Sequence, residues 1–295
     1  MADHVWNGTD PGNEGDLGVA ANWTGGLPIA AGDVWFPDGS QAVTAGFAAL
    51  SAINIASLNA GPDYQPATGG LGLAGTPVEF GNITALFWNS GSRSNYLSAK
   101  VITSATIQGG AQTASMLNFE DHSGGGLDIV ELDILGPSGV VSVPDSVILR
   151  SAVISDADDQ TRLVVGASVS NLDRLAADSG LIQTSTAAAV MEAYGNVVDG
   201  RQQIGEIRVL QGSGTAPLVR IAGGKIDYRS DGDVTLVENW PGGVFDATRQ
   251  SAAGVVTIAT LERYSRSVTD LRNGLGNFTV TNDKNKGGGL IGNQP

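Results

Sequence analysis

The chain has 295 residues, no cysteine, and 30 acidic against 16 basic side chains, for a formal net charge of −14. Disulfides and thiolate metal sites are therefore excluded, and an acidic surface repels phosphate backbones, which argues against a nucleic-acid partner. No run approaches the roughly 18 apolar residues that would mark a membrane span, while Gly, at 42 residues, is about twice its usual share.

Met1-Ala2-Asp3-His4-Val5-Trp6 has neither a basic n-region nor an apolar h-region, so no secretory signal is expected. Residues 1–42 form a distinct opening that holds three of the five tryptophans, Trp6, Trp23 and Trp35. These indoles read either as an end cap over the first open rung of a stack or as an exposed docking surface. The cap is favoured, because an uncovered end leaves strand edges and core unshielded.

From about residue 43 to 281, short Val- and Ile-rich segments recur. They include Ile53-Asn54-Ile55, Asn82-Ile83-Thr84, Lys100-Val101-Ile102, Ser146-Val147-Ile148-Leu149, Gly205-Glu206-Ile207-Arg208-Val209 and Lys225-Ile226-Asp227-Tyr228. Leu127 to Leu135 largely alternates apolar with acidic residues, the pattern of a strand with one buried and one wet face. Gly124-Gly125-Gly126, Gly212-Ser213-Gly214, Gly223-Gly224 and Pro241-Gly242-Gly243 supply turns. Isoleucine-centred motifs near Ile53, Ile83, Ile107, Ile134, Ile154, Ile182, Ile207 and Ile226 recur at about 20–30 residues, the length of one solenoid coil. The expected fold is all-β, a right-handed parallel β-helix with an N-terminal cap; a β-sandwich or jelly roll is the alternative. Two short runs rich in helix formers, Asp173–Asp178 and Thr186–Tyr194, are the only candidates for helical decoration. Residues 282–295 read as a flexible tail.

Chemistry-bearing residues do not converge. Asp156, Asp158 and Asp159 cluster in one expected turn, Asp231 and Asp233 in another, and Glu120 and Asp121 lie beside His122. Asp10, Asn13, Glu14 and Asp16 offer oxygen ligands without the spacing of a calcium loop. His4 and His122 alone cannot make a four-ligand zinc site. Nucleophile-elbow and phosphate-loop motifs are missing. No catalytic residue, metal ligand or cofactor is assigned, and the expectation is a protein that binds and does not react. The aromatic residues beyond the opening, Tyr64, Trp88, Tyr96, Tyr194, Tyr228, Trp240 and Tyr264, look scattered.

Charge is uneven along the chain. No Lys or Arg precedes Arg93, whereas Arg201, Arg208, Arg220, Lys225, Arg229, Arg249, Arg263 and Arg266 crowd the last third. In a stack of coils this predicts ends of different charge.

Trp6-Asn7-Gly8, Asn22-Trp23, Gly25-Gly26-Leu27-Pro28 and Gly32-Asp33 resemble the start of β-solenoid passenger domains in autotransporter-like surface proteins, which implies a bacterial adhesin as one alternative. A short, acidic, cysteine-free solenoid without a signal is similar in type to the cement or decoration proteins of tailed-bacteriophage capsids. That resemblance implies a homotrimer made in the host cytoplasm and bound to the major capsid protein on the virion exterior, with Trp6, Trp23 and Trp35 as docking anchors. A tail spike or receptor-binding protein acting on host glycans is the other alternative; it requires aromatics and carboxylates along one groove.

Overall fold

The computed structural model describes residues 3–37, 41–61, 64, 70–89, 94–108, 116–123, 125–136, 139–155, 161–198, 201–210, 212, 214–250, 255–272, 277–287 and 290–292. The fold is all-β, a parallel β-helix as expected and not a sandwich. Among the described residues the one helical turn is Ala20–Asn22. Parallel pairing sets residue upon residue, so each inward position continues as a column through successive coils, while alternate residues face out. The chain divides into two compact units, residues 1–150 and 151–295.

In the first unit one sheet runs Trp23–Thr24, Asp3–Trp6, Asp33–Phe36, Ile55–Ala60, Val78–Trp88, Ser94–Gln108 and Asp128–Leu135. Only its first pair is antiparallel, and that two-residue strand leaves a short edge for unwanted strand addition. The inward columns are apolar and buried. Ile55, Ile83, Ile102 and Ile129 make one; Val34, Leu58, Leu86, Ala105 and Leu132 make a second. Burial stabilises by about 1.5–3 kcal/mol per large aliphatic side chain. Of the isoleucines singled out in the sequence, only Ile83 belongs to the Ile55 column; Ile107 and Ile134 follow Trp88 in another, and Ile182, Ile207 and Ile226 align in the second unit. A second sheet places Asn95, Leu117 and Val141 in register.

The opening indoles belong to this core. Trp6 and Trp23 are 0% and 4% exposed, with ring centroids 5.1 Å apart. Trp23 lies 5.8 Å from Phe36, which meets Tyr64 at 5.6 Å. Both indole N–H groups donate to carbonyls, Trp6 to Gln41 at 2.8 Å and Trp23 to Leu17 at 3.0 Å. A buried and hydrogen-bonded indole cannot anchor a partner, so the docking expectation is corrected for Trp6 and Trp23.

In the second unit one sheet stacks residues 151–154, Arg174–Ala177, Val190–Val198, Ala216–Ala222, Val234–Asn239, Val255–Arg263 and Asn277–Asn285. The other stacks Arg162–Val165, Leu181–Thr184, Glu206–Val209, Lys225–Tyr228, Val244–Asp246, Val268–Asp270 and Leu290–Gly292. Leu175, Met191, Val219, Val237 and Leu261 fill one buried column; Leu163, Ile182, Ile207, Ile226 and Phe245 fill another. Toward the last coils the inward positions turn polar. Asp283 follows Leu261, Arg263 follows Asn239, and Thr269 follows Phe245. Arg263 grips Asp283 through Nε and Nη2 at 2.9 and 2.6 Å, and Asn239 Nδ2 donates to Val268 O at 2.8 Å and Thr269 Oγ1 at 3.0 Å. These hydrogen bonds offset much of the cost of ending the apolar columns on polar groups, although the buried Asn239 Oδ1 has no partner among the described residues.

Two sequence expectations change here. The runs 173–178 and 186–194 overlap the strands Arg174–Ala177 and Val190–Val198, because neighbouring coils supply ladder partners that outweigh helix propensity in so short a segment. The strand Asn277–Asn285 also carries the ladder past residue 281, and Leu290–Gly292 pairs with Val268–Asp270, so these parts of the expected tail lie within the stack.

Candidate ligand-binding surfaces

The carboxylates singled out in the sequence serve the backbone. Both oxygens of Glu120 accept from Gly75 N–H at 3.1 and 3.0 Å, and Asp121 accepts from His122 N–H at 3.0 Å. Asp231 accepts from Gly212 N–H and Asp233 from Thr257 N–H. Asp10 takes the Asn13 amide at 2.9 Å and Asp16 takes Gly18 N–H at 2.8 Å, the pattern of side chains that stabilise turns. Asp156, Asp158 and Asp159 lie outside the described residues. Among the described residues no three metal-ligating side chains converge.

Trp35 has the opposite fate to its two companions. In the strand Asp33–Phe36, Val34 and Phe36 point inward, so Trp35 must point out. It sits in an outward column that runs Val5, Trp35, Asn59, Phe87 and Thr106. Trp35 is 46% and Phe87 50% exposed; two rungs separate them, about 9.6 Å at the usual strand spacing. With Asn59 they border a shallow depression of about 240 Å³ that also meets Trp88, Thr106 and Gln108. The Trp88 indole is buried, and its N–H has no hydrogen-bond partner among the described residues.

The second unit carries a denser surface. Glu192-Ala193-Tyr194, Arg220-Ile221-Ala222, Glu238-Asn239-Trp240 and Glu262-Arg263-Tyr264 end successive rungs of one sheet. In each the middle residue is inward, so the flanking pair builds two adjacent outward columns. The charged column is closely bonded. Arg174 Nε and Arg220 Nη1 each reach Glu192 at 2.8 Å, Arg220 Nε reaches Glu238 at 2.8 Å, and Lys284 Nζ reaches Glu262 at 3.1 Å. Burial pushes the Glu192 carboxyl up, but hydrogen bonds from Arg174, Tyr194 and Arg220 outweigh it and hold the group below its ordinary range. One step breaks the alternation: Glu238 sits opposite Glu262, like charge against like, an arrangement that costs stability on a sheet face.

Beside it runs the aromatic column Tyr194, Ala222, Trp240, Tyr264. Tyr194 is in register with Ala222, Trp240 N–H bonds Ile221 O and Tyr264 N–H bonds Asn239 O. Trp240 and Tyr264 stack with centroids 4.2 Å apart and planes 6° from parallel. Tyr194 donates to Glu192 at 2.9 Å and Tyr264 to Glu262 at 3.3 Å. Three aromatics that look scattered in sequence thus form one strip next to three carboxylates. The available signal was the thrice-recurring Glu-x-aromatic triplet, which an irregular coil length hides.

On the other sheet Asp227, Asp246 and Asp270 also align, but each is matched. Arg229 holds the fully buried Asp227 at 2.5 Å, Lys225 lies 3.2 Å from Asp246, and Arg272 holds Asp270 at 2.5 Å. The column is a structural ion-pair network with no open coordination site. No family model, curated protein or solved structure matches this chain.

Proposed function

We propose that this chain is a virion structural protein, a capsid cement or decoration protein that binds the major capsid protein as a homotrimer and bridges neighbouring capsomers without chemical turnover. The observation that carries the reading is the exposed Trp35–Phe87 pair on an outward sheet face of the first unit. Two large aromatics on rigid rungs, with a polar Asn59 between them, have the make-up of a small hot spot. The surrounding chain bears no Lys or Arg before Arg93, so the surface it fits is uncharged or basic. Binding to the assembled shell and not to free subunits stabilises the shell by mass action, and three copies of a weak contact act together in a trimer.

The test is co-sedimentation of purified protein with undecorated shells of the phage that encodes it. Retention by wild-type protein and its loss in the Trp35→Ala/Phe87→Ala double variant are expected. Equal retention of both proteins, or a chain that sediments as a monomer and binds no shell, would overturn the reading.

A further inference from the structure

We infer that the outward slot over Ala222, between Tyr194 and Trp240, is a subsite for one pyranose ring of a neutral glycan. The inference is independent of the capsid reading, since every residue it uses lies in the second unit and none borders the Trp35 depression.

Geometry comes first. Tyr194, Ala222 and Trp240 occupy consecutive rungs of one outward column. A methyl side chain between two aromatic ones leaves a gap one rung high. Across two rungs the aromatic positions stand about 9.6 Å apart. A ring held against both sides at ordinary carbon contact distance needs about 7–8 Å. A flat aromatic ligand would leave slack there, whereas the pucker of a saturated six-membered ring takes it up. Trp240 is 38% exposed, and Tyr264 stacks on one of its faces. The C–H face of a pyranose complements the negative face of an indole.

The floor supplies the polar half. Arg220 lies on the same rung as Ala222 and is fixed between Glu192 and Glu238 at 2.8 Å each. Its charge is already matched, so the slot offers oriented donors and acceptors for hydroxyl groups but no unmatched cation for an acidic ligand. The adjoining Glu238–Glu262 step repels uronates and sulfates. A like-charge step retained beside an exposed aromatic is a local conflict of the sort that functional surfaces carry.

Labelled full-length chain applied to a printed array of neutral, amino-sugar, uronic-acid and sulfated glycans tests this. Retention on neutral hexose glycans is expected, falling about tenfold or more in Trp240→Ala and in Ala222→Phe. Ala222→Phe fills the slot and extends the stack, so its melting temperature should not fall. As a second readout, titrating wild-type protein with the retained oligosaccharide should shift indole emission, and Trp240→Phe should abolish that shift. Absence of binding to every neutral glycan, retention of charged glycans alone, or undiminished binding by Ala222→Phe would overturn the inference. Shell binding by Ala222→Phe should be unchanged, so the failure of one reading is distinguishable from failure of the other.

Discussion

Trp6 and Trp35 lie one rung apart on the same sheet, yet their environments are opposite, and parity alone decides it. His4-Val5-Trp6 and Val34-Trp35-Phe36 are both runs without a clear apolar–polar alternation, so the sequence does not reveal which residue of each run faces in. Register settles it, with Trp35 opposite Val5 and not opposite Trp6. The consequence is measurable. Trp6→Ala empties a fully buried site and should cost about 3–5 kcal/mol in urea unfolding, while Trp35→Ala, at an exposed site, should change stability by less than about 0.5 kcal/mol. Equal costs would mean that the opening segment is not packed as described.

The strands themselves were largely legible, because short β-branched runs bounded by glycine have few other uses. The columns were not. Leu175 is opposite Met191, but Met191 is opposite Val219, since the hairpin of Val190–Val198 with Arg201–Ile204 is spliced between coils. The chain returns at Gly205, where any side chain would run into the Ala177 carbonyl. Such insertions destroy the fixed period that would have aligned Tyr194, Trp240 and Tyr264 from sequence. The ion-pair column makes its own prediction. Glu192→Gln removes a carboxylate bonded by two arginines and a tyrosine, and should cost about 1–3 kcal/mol. Because the folded Glu192 carboxyl lies below its unfolded value of 4.5, the unfolded chain binds more protons on acidification. Its contribution is complete above that value and is lost as pH falls through the folded one. Wild type should therefore lose stability below about pH 4.5 more steeply than Glu192→Gln. At the polar last rung, Asp283→Ala removes the carboxylate that accepts from Nε and Nη2 of the buried Arg263. Amide exchange in residues 277–285 should accelerate more than in residues 234–239. Uniform acceleration would argue against a local closing role.

For the whole molecule, composition gave the class correctly: frequent glycine, no cysteine and recurring isoleucine lead to a parallel β-helix, and the ladders bear this out. Composition could not give the surfaces, since a residue's use depends on which neighbour the next coil brings beside it. The account of function rests on two such surfaces, an apolar one at Trp35 and Phe87 and a polar-aromatic one at Tyr194, Trp240 and Glu238, both built on rigid ladders. The most direct measurement is negative-stain imaging of virions labelled with gold-conjugated antibody against this chain. Label distributed over the capsid exterior is the result this account predicts; label confined to the tail, or particles that carry none, would contradict it.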